Sequence, residues 1–317
     1  MKKCLLIIEI SALLAGCVKV VEPHYADYAE ETVKVSFEVP VAGTRAIVPF
    51  PEDRIESLQV FVFDPLGQIQ NYGTSEGNSL DLTCTTGQKT FSALVNAPSC
   101  TGIKSLEELR SMNSDFRDNS PGAFVMSGSL EEVLTASGSV DITVRRLVSK
   151  VVLNKVRNEL RFQQHREMDF VVTSVYLTDV PDGRMYFGNM SSPDRIASGC
   201  PQEESQESYI SLLYDDLEDA AVRYGEAVSF GNFLYCYPRV DASEKPAYLV
   251  VEAILGDSRY YYPVALPQME SNKCYSVSLT VTGPGSLSPD IPVERTEAAI
   301  SVYVSDWDEY IDVNETI

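Results

Sequence analysis

Short β-prone runs, several with apolar and polar residues alternating, recur along nearly the whole chain between turns of Gly, Pro, Asn and Asp. No other pattern narrows the fold so far, because a period of two places successive side chains on opposite faces of a strand. Val33, Val35, Phe37 and Val39 alternate with Lys34, Ser36 and Glu38 and stop at Pro40. Ile55, Leu58, Val60 and Val62, with Phe61 and Phe63, read as a strand closed by the turn Asp64-Pro65-Leu66-Gly67, and Ile69 and Tyr72 return as its hairpin partner. Leu80–Cys84 and Lys89–Asn96, joined through Thr85-Thr86-Gly87, read as a second hairpin, and Phe124–Leu130 and Val140–Leu147 continue the series.

A fresh alternation starts at Val148–Val156 after that complete set of hairpins, which puts a domain change near Arg146. Phe170–Leu177, Val228–Tyr237, Ala247–Leu255, Tyr260–Leu266 and Cys274–Thr282 follow, rich in the β-branched and aromatic residues that suit a pleated surface. Helix is expected at Leu106–Met112, where Ser105 is the N-cap and Glu108 completes a capping box, while the acidic stretch Ser205–Ala221 reads as a loop with a short helix. At 317 residues the chain has length for roughly two domains, so the expected fold is all-β: two antiparallel β-sandwiches with a few short helices. A Pro- and Gly-rich link, Gly283 to Pro292, leads to a last β-prone segment, 299–317, in which Ile300, Val302 and Val304 alternate with Ser301, Tyr303 and Ser305. A terminal strand after such a link can pair within its own domain or be given to a neighbour.

Lys2 and Lys3 precede an apolar run, Leu5 to Leu14, that is too short for a bilayer, which needs about twenty apolar residues. Leu14-Ala15-Gly16-Cys17 resembles the lipobox of bacterial lipoproteins, and the resemblance makes 1–16 a removed signal and Cys17 the lipidated first residue, held at a membrane by its acyl chains. From there to Glu31 the chain is polar and acidic, as suits a flexible tether.

A net charge of −21 argues against a nucleic-acid partner, since phosphate backbones are bound by clustered Lys and Arg, and Arg145, Arg146 and Lys150 are the nearest thing to a cluster. Past Cys17 there remain Cys84, Cys100, Cys200, Cys236 and Cys274, with no CxxC spacing and only His24 and His165 as further ligands, so no zinc pattern is present. Cys84 and Cys100 flank one expected hairpin and are the best candidates for a disulfide; the alternative is buried free thiols.

No catalytic pattern emerges. His24 falls in the tether and His165 in a polar stretch, and no HExxH, P-loop or Rossmann glycine pattern is present. Asp306, Asp308, Glu309 and Asp312 lack EF-hand spacing and its central Gly, and read as a solvated strand edge. The sole tryptophan, Trp307, is expected to fill a core or a groove rather than stack on a sugar. Strand alternation should bury Tyr261 or its neighbours Tyr260 and Tyr262, so the three do not form a sugar platform. The expectation is no catalytic residue, no metal and no cofactor.

Several segments taken in order carry a likeness: the lipobox, Thr44-Arg45-Ala46 between the first two strands, Leu58-Gln59-Val60-Phe61-Val62-Phe63-Asp64, Ala93-Leu94-Val95-Asn96-Ala97, Met126-Ser127-Gly128, Arg146-Leu147-Val148-Ser149-Lys150 and Val304-Ser305-Asp306-Trp307. Together they resemble the FimA-type fimbrillins of type V fimbriae over nearly the whole chain. The resemblance implies a non-enzymatic pilus subunit built of two transthyretin-like β-sandwiches and exported as an outer-membrane lipoprotein. It implies cleavage by an arginine-specific protease after Arg45, leaving Ala46 as the new N-terminus, with Arg54 a second candidate site. Residues 17–45 would then leave with the strand Val33, Val35, Phe37 and Val39. An N-terminal sandwich, 46–147, and a C-terminal sandwich, 148–298, would remain, with 299–317 as a donor strand that offers Ile300, Val302, Val304 and Trp307 to a neighbouring subunit. Partners implied are other fimbrillin subunits, the protease, the outer membrane before cleavage, and a host or bacterial adhesion ligand. The alternative is an uncleaved surface lipoprotein, either an anchor or tip of the fimbria or a module that binds a glycan or a host protein.

Overall fold

A computed structural model describes residues 31–41, 51–188, 195–201, 210–239, 245–291 and 298–307. In chain order its strands are β1 (Thr32–Glu38), β2 (Leu58–Phe63), β3 (Ile69–Ser75), β4 (Ser79–Thr85), β5 (Gly87–Val95), β6 (Asn113–Asp115), β7 (Met126–Leu134), β8 (Gly138–Asp141) and β9 (Arg145–Arg146). They continue with β10 (Ser149–Asn158), β11 (Phe170–Thr178), β12 (Val180–Pro181), β13 (Gly183–Met185), β14 (Ile196–Ala197), β15 (Tyr214–Ala221), β16 (Ala227–Cys236), β17 (Tyr248–Leu255), β18 (Ser258–Ala265), β19 (Lys273–Val281) and β20 (Ala298–Asp306).

The strands form an all-β sandwich fold. A three-stranded sheet ordered β4-β1-β8 faces a five-stranded sheet ordered β3-β2-β5-β7-β9, and between them lie Val33, Val35, Phe37, Val60, Val62, Phe91, Ala93 and Val140. Further along, sheets β16-β10-β19-β20 and β15-β11-β17-β18 enclose a second core. The five-stranded sheet is buried on both faces: Leu58, Val60 and Val62 point into the first core, while Phe61 and Phe63 join Leu109, Phe116 and Leu147 in the second. This is why β2 is apolar at nearly every position rather than strictly alternating. A short pairing of β6 with β13 ties the two halves together.

Several expectations change on contact with the structure. The expected hairpin of Leu80–Cys84 with Lys89–Asn96 does not form: β4 pairs with β1, and β5 pairs with β2 and β7, so the Thr85-Thr86-Gly87 turn carries the chain from one sheet to the other. Val140–Leu147 is likewise split into β8 and β9, which belong to opposite sheets. Within Ser205–Ala221 the helix is Ile210–Leu213, but Tyr214–Ala221 is an edge strand on β11. Its register shifts where Glu218 and Asp219 adopt left-handed φ of 52° and 53°, the geometry of a bulge, which hides its period from a sequence reading.

The helix at Leu106–Arg110 ends before Met112; the Ser105 hydroxyl accepts from the Glu108 N–H at 3.1 Å, and the Glu108 carboxylate accepts from the Lys104 N–H at 2.8 Å, one residue before the cap. Tyr261 and Tyr262 are both buried, because Tyr261 joins a small cluster with Tyr176, Cys200 and Val250 while Tyr262 faces the main core and donates to the Pro284 carbonyl at 2.7 Å. Cys84 and Cys100 fall in different cores, and all five cysteines from Cys84 onward are free, buried thiols. Among the described residues no helix is long and apolar enough to cross a membrane.

Candidate functional site

The first strand is the middle strand of its sheet. β1 pairs antiparallel with β4, Val35 opposite Leu82 and Phe37 opposite Leu80, and parallel with β8, Phe37 opposite Val140. Beyond its end, Val41 bridges to Val144, and the Val144 N–H donates to the Pro40 carbonyl. Because the sheet is β4-β1-β8, β1 is the sole sheet partner of both neighbours among the described residues. Its inward side chains are fully enclosed, with Val35, Phe37 and Val39 each 1% exposed and the Phe37 ring 5.2 Å from that of Phe91. Each such burial stabilises by about 1.5–3 kcal/mol, so the four inward residues together contribute about 6–12 kcal/mol as an upper estimate. That is comparable with the whole stability of an ordinary domain, about 5–15 kcal/mol. Removing β1 would leave an apolar groove flanked by two unpaired strand edges.

The last strand is placed very differently. β20 pairs with β19 along one edge and lies at the end of its sheet, Ile300 opposite Leu279 and Val304 opposite Tyr275. Ile300 and Val304 stay 45% and 46% exposed, Tyr303 50%, and only Val302 of the alternating trio packs partly against the core. Immediately beyond it, Trp307 is wholly buried.

Trp307 sits in a charged cluster that sequence reasoning did not assemble. Its indole Nε1 donates to Glu52 Oε2 at 2.8 Å, and Lys150 Nζ donates to the same oxygen at 2.6 Å. The Tyr235 hydroxyl donates to the other carboxylate oxygen, Oε1. The indole stacks on Tyr235 and meets Phe124 edge-on, and both the Arg146 guanidinium, 4.6 Å away, and the Lys150 ammonium, 4.7 Å away, lie over its face. Arg146, itself fully buried, pairs with Asp53 and donates to Asn272 Oδ1 at 2.8 Å. Burial opposes ionisation of Glu52, but the Lys150 charge and the hydrogen bonds from Lys150, Tyr235 and Trp307 outweigh it and hold the carboxyl below its ordinary value of 4.5. Burial first, then the Glu52 charge, pushes the Tyr235 hydroxyl far up, and burial raises the neighbouring Cys274 thiol to about 11.

One short segment, 51–53, is thus joined to β9, β10, β16 and the end of β20. Arg146 and Lys150 stood out in the sequence as a small basic cluster; their partners Glu52 and Asp53, nearly a hundred positions earlier, carried no signal beyond being adjacent carboxylates after Pro51.

Val33, Val35, Phe37 and Val39 therefore share one buried face, and Ile300, Val302 and Val304 share one strand on a different sheet. Cys17, Arg45, Ala46, His24, Asp308, Glu309 and Asp312 lie outside the described residues. Arg54 is described: its side chain is 71% exposed and pairs with Glu56. His165 lies on the four-residue helix Gln163–Arg166 against Phe162 and Gln164. Among the described residues no group of His, Cys, Asp and Glu is placed to hold a metal ion.

No family model matches the chain, and no curated protein matches it. Solved structures do. A candidate cell adhesion protein from Parabacteroides distasonis aligns at a TM-score of 0.67 and 16% identity, covering 87% of this chain and 97% of that one. A fimbrilin, FimA, from Porphyromonas gingivalis aligns at 0.63 and 16%, covering 87% and 97%. The tip fimbrial protein Mfa3 from the same organism aligns at 0.54 and 14%, covering 87% and 100%. This chain has the fold of the fimbrillin-type proteins.

Proposed function

We propose that this chain is a structural subunit of a cell-surface fimbria, non-enzymatic, polymerised by donor-strand exchange, with a role in adhesion. The observation that carries the reading is the contrast between the two terminal strands. β1 is a central strand whose apolar face is closed off from water, whereas β20 is an apolar edge strand that leaves Ile300 and Val304 nearly half exposed at home. Moving β20 of one copy into the β1 groove of another would bury those side chains and satisfy the β4 and β8 edges, the physical basis of β-strand addition. A head-to-tail contact of this kind does not close into a ring, so it yields a fibre.

On this reading the chain is exported as a lipoprotein, acylated at Cys17, held at the outer membrane, and cut after Arg45 by an arginine-specific protease to leave Ala46 at the N-terminus. The products of the cut would be a leader, 17–45, that departs with β1, and two sandwich domains, 46–147 and 148–298, followed by the donor segment 299–317. The structure of the cluster favours Arg45 over Arg54 as the functional cut. Cleavage after Arg54 would strip away Glu52 and Asp53 and leave Arg146 and Lys150 buried without their carboxylates, a loss on the order of 3–5 kcal/mol for a broken buried pair. Cleavage after Arg45 keeps both. Partners would be further copies or relatives of this subunit and the ligand to which the finished fibre adheres.

Two variants test the reading. Arg45→Ala should give folded, lipid-bearing monomers that form no ladder of detergent-resistant polymers, and a normal ladder would remove the cleavage step. A chain lacking 299–317 should be processed yet fail to extend a polymer; unchanged assembly would remove donor-strand exchange. A second reading, an uncleaved surface lipoprotein that serves as anchor, tip or ligand-binding module, draws on the fact that β1 already completes its sheet without a partner. It expects both variants to behave as the parent does.

A further inference from the structure

The proposed cleavage and strand donation concern the two ends of the chain; Glu52 follows the first in sequence, and its carboxylate bonds Trp307 at the end of β20. We propose that Glu52 is a positioning residue that couples them: it anchors the segment just after the cut to Lys150 and Tyr235, and through the same carboxylate locks Trp307, hence the end of β20, onto its own domain. The inference rests on the proposed donor role of β20 and adds what restrains that strand before it is used.

The geometry is that of a shared latch. Apart from its antiparallel ladder with β19, β20 has few holds: among the described residues its other edge is unpaired, Ile300, Tyr303 and Val304 are half in water, and its ion pair between Asp306 and Lys273 is exposed. Beyond that ladder its buried attachment is at Trp307, through the Nε1 hydrogen bond, the two cations over the ring and the Phe124 and Tyr235 contacts. On the other side, residues 51–53 are held by the bonds of Lys150 and Tyr235 to Glu52 and by the pairing of Asp53 with Arg146. The charged and titratable groups around the Glu52 carboxylate are Lys150 of β10, Arg146 of β9, Tyr235 of β16, Cys274 of β19 and the adjacent Asp53. Two cations outnumber what a single carboxylate balances, and Asp53 supplies the second negative charge. Losing Trp307 from the cluster removes one of three hydrogen bonds that order the Glu52 side chain; losing Glu52 leaves the indole N–H and Lys150 buried without their acceptor. Coupling of this sort is reciprocal by thermodynamic necessity.

Reciprocity supplies the test, which needs only the folded monomeric precursor and no polymer. In Glu52→Gln, amide hydrogen exchange of β20 and its partner β19 should rise about tenfold, as expected for loss of one charge-assisted hydrogen bond, while amides of β11 and β17 keep their rates. In Trp307→Phe, which keeps an aromatic ring and removes the donor together with part of the indole's buried volume, proteolysis after Arg54 should quicken several-fold although that bond is far away in sequence. The double variant should show less than the product of the two single effects. Unchanged β20 exchange in Glu52→Gln, unchanged Arg54 cleavage in Trp307→Phe, multiplicative effects, or a uniform rise across β11 and β17 would each overturn the latch. Failure of assembly in the 299–317 deletion bears on the donor role alone, so the two claims fail separately.

Discussion

Glu52 receives hydrogen bonds from Lys150, Tyr235 and Trp307, and this makes its protonation a matter of stability. Its folded-state pKa is held below the ordinary 4.5, so the unfolded chain binds its proton first as pH falls. The stabilisation is therefore complete above that value and is lost as the pH drops below it through the folded-state pKa. Denaturant midpoints measured from neutral pH downward should fall more steeply below pH 4.5 in the parent than in Glu52→Gln, and parallel acid limbs would contradict the assignment. A different constraint operates at Gly128 on β7. A Cβ there would strike the Thr143 carbonyl oxygen and lie 2.9 Å from its carbon and 3.2 Å from Val144 Cα, all of them backbone atoms with little room to yield. Gly128→Ala should cost about 1–3 kcal/mol, read as a lowered melting temperature, and a change within error would mean that β7 and the 143–144 backbone move apart freely.

At the level of elements, what the sequence made legible was local period. The alternation through Val33 to Val39 and the β-branched and aromatic run Leu58 to Phe63 specify strands before any partner is known, and both strands form. Sheet membership was not legible, because a Thr-Thr-Gly turn serves a hairpin and a crossing between sheets equally well, and only the long-range pairing of β4 with β1 decides. β15 escaped notice because it is acidic, lies at an edge and is bulged, so only Leu217 is buried along it. The apolar alternation of β20 could be read, but its half-exposed docking and its tie to Glu52 through Trp307 could not, since the partners lie 255 positions apart. The proposed fate of β1 makes a test available at this scale. Phe37→Ala should destabilise the uncut precursor by about 3–5 kcal/mol, as for loss of a buried Phe, yet leave assembled fibres as stable as the parent, since the residue departs with the leader. Fibres weakened to the same degree would mean that β1 stays in place.

For the molecule as a whole, the two cores merge at a junction where Phe61, Phe63 and Leu147 meet the residues of the second pair of sheets. The proposed fibre would need such a junction, because a hinge between sandwiches would make every link in it flexible. On the proposed reading, the charge of −21 suits a surface that stays soluble outside the cell and discourages contact with anionic membranes after the lipidated leader is removed. The fold itself was legible as a class from repeated alternation, whereas the junction was not, for it is made by single residues of distant segments. The central claim, that the chain loses its first strand in order to assemble, is tested most directly by the intact mass and N-terminal residue of the protein recovered from the cell surface. A chain beginning at Ala46 is the expected result; a lipidated chain beginning at Cys17 throughout the fibre would contradict it.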